Sequence, residues 1–108
     1  MLIKIKDFRG VEIEIKNASY LHVKKRHPDV FRILGISNES SFIQVIKKAV
    51  KNPSEVYSDK LGTLYYLHKL NDLYINIVTF KNSVKTIYLV GMKSCRKMRL
   101  KKWLSKIF

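Results

Sequence analysis

The chain has 108 residues, 46% of them hydrophobic, and its 22 Lys and Arg against 8 Asp and Glu give a formal net charge of +14. This length suits one domain with a modest core, and the hydrophobic content excludes an intrinsically disordered chain. The single cysteine, Cys95, excludes an internal disulfide and a cysteine-rich zinc site. No apolar run approaches the length of a transmembrane helix, so no transmembrane segment is expected.

The charge is unevenly distributed along the chain. All eight acidic residues lie at or before Asp72, whereas nine Lys and Arg and no acidic residue follow from Leu73 onward. So lopsided a balance favours a polyanionic partner, with nucleic acid first and an anionic membrane surface second.

The N-terminal residues have the pattern of a β-hairpin. Leu2–Lys6 and Val11–Ile15 each alternate apolar and charged residues, and the turn between them ends at Gly10. Pairing of the two strands would bring opposite charges together on the wet face. These charged residues are Lys4, Lys6, Glu12 and Glu14.

Two helices are predicted next. Asn17 or Ser19 could cap a helix that begins near Ala18 and runs to about His27, where Pro28 blocks a simple continuation. A short apolar piece follows, and a second helix is expected between residues 37 and 51, before Asn52-Pro53. Its apolar face at helical spacing consists of Phe42, Ile43, Ile46, Ala49 and Val50.

Four strands complete the predicted domain: Glu55–Ser58, Thr63–Leu70, Leu73–Phe80 and Val84–Val90, all rich in residues suited to a pleated sheet. The expected fold class is α+β, with an N-terminal hairpin and two helices packed on one face of an antiparallel four-stranded meander. The other face should be open. The alternation of side chains along the strands puts four polar residues on it, namely Lys69, Asn76, Thr86 and Tyr88.

The C-terminal residues Met92–Phe108 are strongly basic, and Leu100, Trp103, Leu104 and Ile107 follow helical spacing. They predict an amphipathic basic helix, so that residues 1–90 would form the domain and residues 91–108 an appended helix. Its apolar side could dock on the domain, meet a partner or contact a membrane peripherally.

The stretch from Tyr20 to Asp29 contains the sharpest candidate site. His22 and His27 lie on either side of three cations, and histidine is the side chain best suited to proton transfer near neutral pH. Five positions rotate a helix by roughly 140°, so the two histidines share a site only if His27 lies at the helix end or in the Pro28 turn. The three cations between them, Lys24, Lys25 and Arg26, could bind phosphate or simply face solvent.

Short motifs along the chain suggest a family. In chain order they are the His22-x4-His27-Pro28 element, a second helix that ends in Asn52-Pro53 before Val56-Tyr57, then Thr63–Tyr66, Tyr74–Phe80 and Val84–Tyr88. In this order they resemble the phage and polymorphic-toxin nucleases of the barnase/EndoU/colicin/RelE-like (BECR) group, over roughly Tyr20 to Val90. The basic residues after Gly91 are not part of this pattern.

The resemblance implies a metal-independent endoribonuclease that needs no cofactor and acts in the cytoplasm. A base would deprotonate a ribose 2′-OH, which attacks the phosphate to leave a 2′,3′-cyclic phosphate and a 5′-OH. It favours His22, then His27, with Thr86 and Tyr88 on the last strand orienting the phosphate. Lys25 or Lys69, the latter added from strand parity, would stabilise the charge. Further RNA-binding residues are expected to be Lys24, Arg26, Lys85, Lys93, Arg96 and Lys97.

Two other functions stay open. A non-catalytic RNA- or DNA-binding module would use the same charge and tyrosines without proton transfer, and its binding would depend steeply on salt. An interaction protein could act through the basic C-terminal helix alone. If the protein is a toxin, an acidic immunity protein or antitoxin would be a natural partner, because opposite charge accelerates association.

Overall fold

The structure is a computed structural model that describes residues 2–108. Four helices and seven strands follow in the order β1 (Leu2–Lys6), β2 (Glu12–Lys16), α1 (Asn17–Arg26), α2 (Pro28–Leu34), α3 (Glu39–Lys51), β3 (Glu55–Ser58), β4 (Leu64–Leu70), β5 (Leu73–Phe80), β6 (Ser83–Gly91), α4 (Met92–Arg99) and β7 (Ser105–Lys106). The expected α+β class is confirmed.

The seven strands form one mixed sheet in the order β1-β2-β6-β5-β4-β3-β7. The predicted hairpin is confirmed, with Lys4 opposite Glu14 and Lys6 opposite Glu12. The predicted four-stranded meander corresponds to β3–β6, which are antiparallel neighbours within a larger sheet. The prediction therefore gave the sheet too few strands. The sequence did not predict the short parallel contact that joins β2 to β6 at Glu14 and Ser83.

Three helices, rather than the predicted two, pack on the first face of the sheet. Their core residues include Val23 of α1, Val30 of α2 and Phe42 of α3, which pack with Ile77 and Ile87 of the sheet. The side chain of Asn38 caps α3 by accepting a hydrogen bond from the Ser41 N–H. The predicted cap of α1 was wrong, because Asn17 is already helical and the N-cap position, Lys16, makes no side-chain cap bond.

The second face of the sheet is not open as predicted. Cys95 of α4 is buried against this face, where it packs in a second core with Leu67, Tyr74 and Val90. The side chain of Arg99 on α4 donates a hydrogen bond of 2.8 Å from Nε to the buried carboxylate of Glu55 on β3. The sheet therefore has a core on each face, and α4 crosses the second one.

The C-terminal helix is shorter than predicted. It ends at Arg99, and β7 pairs antiparallel with β3, so that Lys106 lies opposite Tyr57. The centroid of the Phe108 ring lies 4.7 Å from that of Phe8. The C-terminal residues have a spacing that alone suggests a helix, but they pair with the edge of β3 and pack against Phe8 instead. Among residues 2–108, no helix is long and apolar enough to cross a membrane.

Candidate functional site

The break between α1 and α2 brings the two histidines together. His27 lies outside both helices, with φ −132° and ψ 60°, and Pro28 begins α2. His27 is therefore not bound by the geometry of one continuous helix, which would turn its side chain roughly 140° away from that of His22. The centroids of the His22 and His27 rings are 6.1 Å apart, with the rings nearly perpendicular. His22 is exposed and His27 half-buried, so both imidazoles border solvent.

Tyr88 extends this pair onto the sheet. Its ring centroid is 5.9 Å from that of His27, and its Cα lies opposite Asn76 on the neighbouring strand. Burial raises the pKa of the Tyr88 hydroxyl, and the nearby Asn76 side chain acts in the opposite direction. His22, His27 and Tyr88 thus form one group, the histidine–tyrosine cluster.

Two polar side chains near Tyr88 are left without partners. Asn76 is fully buried, and neither atom of its amide makes a hydrogen bond of acceptable geometry within residues 2–108. The buried hydroxyl of Thr86 likewise has no partner in this part of the chain. Buried groups of this kind are rare and call for an explanation. Thr86 lies on the same face as Tyr88, but its hydroxyl does not reach the surface in this arrangement.

A first cleft, of about 260 Å³, adjoins His22 where β6 begins. Lys16, whose Nζ also lies 3.9 Å from the Glu14 carboxylate, and Lys85 contribute its positive charges, and Ser19 and Ser83 are among its lining residues. The Ser19 hydroxyl donates to the Val84 carbonyl and so ties α1 to β6. The Ser83 hydroxyl is buried and has no partner among the residues described. We name this space the β6-start cleft.

A second cleft, of about 280 Å³, lies on the other side of Tyr88, between the end of β6 and α4. Tyr88 and Met98 form part of its apolar wall, and Ser94, Lys97 and Lys101 supply polar groups. The Lys101 ammonium also lies 5.1 Å from the centre of the Trp103 ring. We name this space the α4 cleft. Lys16, Lys101 and Ser83 were not among the predicted site residues, because only the folded chain brings them beside β6.

The predicted cations fall into separate groups. Lys24, Lys25 and Arg26 are exposed in the last turn of α1, directly before His27. Lys85 lines the β6-start cleft, and the exposed side chains of Lys93, Arg96 and Lys97 lie on α4.

Lys69 does not join the histidine–tyrosine cluster. It is on β4, with β5 between it and β6, so its Cα is roughly 10 Å from β6 at the usual strand spacing. Its cross-strand neighbour Tyr74 packs with Cys95 of α4, which therefore occupies this part of the face. The alternation of side chains along the strand predicted the correct face for Lys69, but it could not show that a helix crosses that face.

Two buried acidic side chains, Glu55 and Asp7, are engaged away from the clefts, whereas the Glu14 carboxylate lies 3.9 Å from Nζ of Lys16 at the β6-start cleft. The Arg99 guanidinium hydrogen-bonds to Glu55 and lowers the pKa of that carboxyl to about 2, despite its burial. Burial would raise the pKa of the Asp7 carboxyl, but hydrogen bonds from Arg9 and Tyr66 outweigh it and lower the pKa. Among the described residues, the side chains that line the two clefts include lysines but no carboxylate, so the charged groups lining them are cations.

Comparisons with protein-family models, with curated proteins and with solved structures find no significant match to this chain. Residues 2–108 contain no group of three or more His, Cys, Asp or Glu arranged to hold a metal ion.

Proposed function

We propose that the protein is a metal-independent endoribonuclease of the toxin type. The observation that carries the proposal is the histidine–tyrosine cluster on a cationic surface, in which two imidazoles are 6.1 Å apart at their centroids. At this spacing a ring nitrogen of each histidine can come within hydrogen-bond reach, about 2.6–3.2 Å, of oxygens of one bound phosphodiester. Both histidines could therefore act on the same phosphate.

The reaction needs one group to take a proton and another to give one. One histidine removes the proton of the ribose 2′-OH, whose oxygen then attacks the adjacent phosphorus. The other histidine protonates the 5′-oxygen as the P–O bond breaks, so that the products are a 2′,3′-cyclic phosphate and a 5′-OH. Histidine is the side chain most often used as general acid and general base, which suits this division of work. The Tyr88 hydroxyl is a donor that can orient the phosphate.

Fixed cations would stabilise the negative charge that builds up on the phosphate oxygens in the transition state. Lys85 is the best-supported candidate, because it lines the same cleft as His22. Lys25, on the last turn of α1, is a second candidate. The position of Lys69 does not support this role for it, because β5 separates its strand from β6 and α4 covers the face between them.

A toxin of this kind requires an inhibitor in the cell that makes it. The net charge of +14 and the absence of carboxylates from both clefts, as far as residues 2–108 are concerned, favour an acidic inhibitor protein. Such a partner would associate quickly at low salt and would cover the clefts on either side of the histidines.

The proposal is tested by incubating the protein with tRNA and rRNA in EDTA, beside His22→Ala and a DNA of matched sequence. We expect the wild type to cleave RNA to fragments with 2′,3′-cyclic phosphate ends, and to leave DNA intact because DNA lacks the attacking 2′-OH. Full activity of His22→Ala would remove His22 from the site. Binding of RNA without cleavage at any pH from about 5 to 9, the range in which histidine normally titrates, would favour the non-catalytic binding module.

A further inference from the structure

The two clefts adjoin successive parts of β6. Within the described chain β2 pairs with β6 only at Ser83, because β2 ends at Lys16 and the chain continues as α1. In the described residues no strand pairs with β6 on this side from Lys85 onward, and α1 packs beside the start of β6 through the Ser19–Val84 hydrogen bond. The β6-start cleft lies near Ser83, the α4 cleft near Val90, and Tyr88 reaches His27 between them.

The distance along this edge is longer than one nucleotide. Seven residue steps separate Ser83 from Val90, and a strand advances about 3.3 Å per residue, so the clefts are spread along roughly 23 Å of β6. A ligand that fills both clefts and places one phosphate at the histidines must therefore continue on each side of that phosphate. A single nucleic acid strand has this form.

The residues that line the α4 cleft suit the binding of one nucleotide of such a strand. Tyr88 offers an aromatic face, Met98 an apolar contact, and Lys97 and Lys101 two ammonium groups for phosphate. Its volume of about 280 Å³ is close to the lower limit of about 300 Å³ for small-molecule sites, too small for a base pair. Unpaired bases in RNA complexes stack on aromatic side chains in this way.

We infer that the α4 cleft is a nucleotide subsite for single-stranded RNA, next to the phosphate that the histidines act on. A base stacks on Tyr88, and Lys97 and Lys101 bind the phosphate that flanks it. A subsite beside the cleaved phosphate implies a substrate class, namely an unpaired RNA segment of more than two nucleotides. This assignment rests on the proposed function for its position relative to cleavage, but the binding itself does not require catalysis.

The test uses a fluorescent single-stranded RNA whose 2′-oxygens are methylated, so that it binds but cannot be cleaved. Its affinity is measured as a function of salt for the wild type and for Lys97→Gln/Lys101→Gln. The matched control is Lys47→Gln/Lys51→Gln, which removes the same charge from two exposed lysines of α3 on the other face of the sheet. All four lysines are exposed, so neither variant should impair folding.

We expect the α4 cleft variant to bind more weakly. Its logarithmic salt slope should fall by about 0.7, because the two lysines together neutralise one phosphate, and each neutralised phosphate of a single strand contributes about 0.7 to the slope. The α3 control should keep the slope of the wild type. Tyr88→Leu should bind about tenfold more weakly, which corresponds to the ~1.4 kcal/mol of a modest base–aromatic stack, while Tyr88→Phe keeps the stack.

Equal slopes for the α4 cleft variant and the α3 control would overturn the subsite, since the lysines would then contribute only general attraction. Equal affinities of Tyr88→Leu and Tyr88→Phe would overturn the stacked base. Binding that depends on Lys97, Lys101 and Tyr88, in a wild type that cleaves no RNA, would leave the subsite standing and reject the nuclease. Cleavage of RNA by a wild type whose binding does not depend on these three residues would reject the subsite and leave the nuclease standing.

Discussion

The centroid of the His27 imidazole lies 5.9 Å from that of the Tyr88 ring, which connects the turn between α1 and α2 to the last long strand of the sheet. The turn is fixed by Pro28, and the strand by its ladder with β5. Two rigid elements therefore position these rings, as precise catalysis requires.

The first prediction concerns the two histidines as a unit. His22→Ala and His27→Ala should each lower cleavage of RNA by about 10²- to 10⁴-fold, the usual contribution of a general acid or base. Because both would act on one phosphate, the double variant should lose little more than the worse single variant. Rates are measured with a short RNA in EDTA.

The matched control for these variants is His68→Gln, which changes the third histidine of the chain. The His68 Nδ1 lies 2.7 Å from the Asn52 carbonyl oxygen, on β4 and away from the cluster. This variant should keep wild-type cleavage, although it can lose about 1 kcal/mol of stability with the hydrogen bond. Equal losses in all three single variants would point to unfolding rather than to catalysis.

The second prediction concerns Asn76, whose buried amide has no hydrogen bond of acceptable geometry within residues 2–108. Asn76→Leu should raise the free energy of unfolding by about 1 kcal/mol, because it removes the cost of an unpaired buried amide. Cleavage should fall by roughly tenfold, since the Tyr88 hydroxyl loses its polar neighbour. Urea unfolding and cleavage rates check the two effects.

The variant Thr79→Val is the control for Asn76→Leu, because Thr79 is a buried polar residue on the same strand and its parity puts it on the opposite face. It can change stability but should leave the cleavage rate unchanged. If Asn76→Leu instead destabilised the protein by several kcal/mol, the amide would have partners that matter for folding.

The third prediction is a pH dependence of stability that arises from Glu55. Its pKa is lowered from 4.5 to about 2 by Arg99, so its carboxylate stabilises the folded state fully above pH 4.5 and progressively less as the pH falls towards 2. Glu55→Gln should therefore be destabilised at neutral pH by no more than about 3 kcal/mol, an upper value because Arg99 is partly exposed to solvent.

The difference between the wild type and Glu55→Gln should shrink below pH 4.5 and be small near pH 2, as measured by urea unfolding across this range. Glu12→Gln, which changes an exposed glutamate on β2, should lie within about 0.5 kcal/mol of the wild type. A difference that is constant with pH would mean that the Glu55 charge does not contribute through Arg99.

The fourth prediction concerns the C-terminal residues. Removal of residues 92–108 takes away Cys95 and Arg99, so it uncovers Leu67 and Tyr74 and leaves Glu55 without its ion-pair partner. The shortened chain should be destabilised by at least about 3 kcal/mol. A truncated protein with the unfolding midpoint of the full chain would show that these residues form an independent unit after all.

The sequence was sufficient for elements whose pattern is local. The charge alternation of the hairpin predicted that lysines of the first strand pair with glutamates of the second, and the predicted strands Thr63–Leu70 and Leu73–Phe80 are neighbours joined by a tight turn. The helix predicted between residues 37 and 51 ended before Asn52-Pro53 as expected, because proline geometry depends on few neighbours. The two histidines were singled out by residue type, and the Pro28 turn was named as the condition under which they could meet.

Tertiary contacts decided the remainder. Leu100, Trp103, Leu104 and Ile107 have helical spacing, yet pairing with the free edge of β3 and packing against Phe8 leave the chain extended at residues 105–108. The position of α4 over the second face depends on Cys95 and Arg99 finding partners far away in sequence. The clefts could not be predicted, because each joins residues from elements that only the fold brings together.

The part of the outer edge of β6 that pairs with no strand among residues 2–108, from Lys85 onward, also exposes the protein to self-association. A strand edge without a neighbour can accept a strand from another molecule and so extend the sheet between copies. The exposed Lys85 on this edge and the mutual repulsion of chains with charge +14 oppose such stacking in dilute salt. At about 1 M salt the screening length falls to about 3 Å. The high salt used to strip nucleic acid from a basic protein would therefore remove its own protection against aggregation.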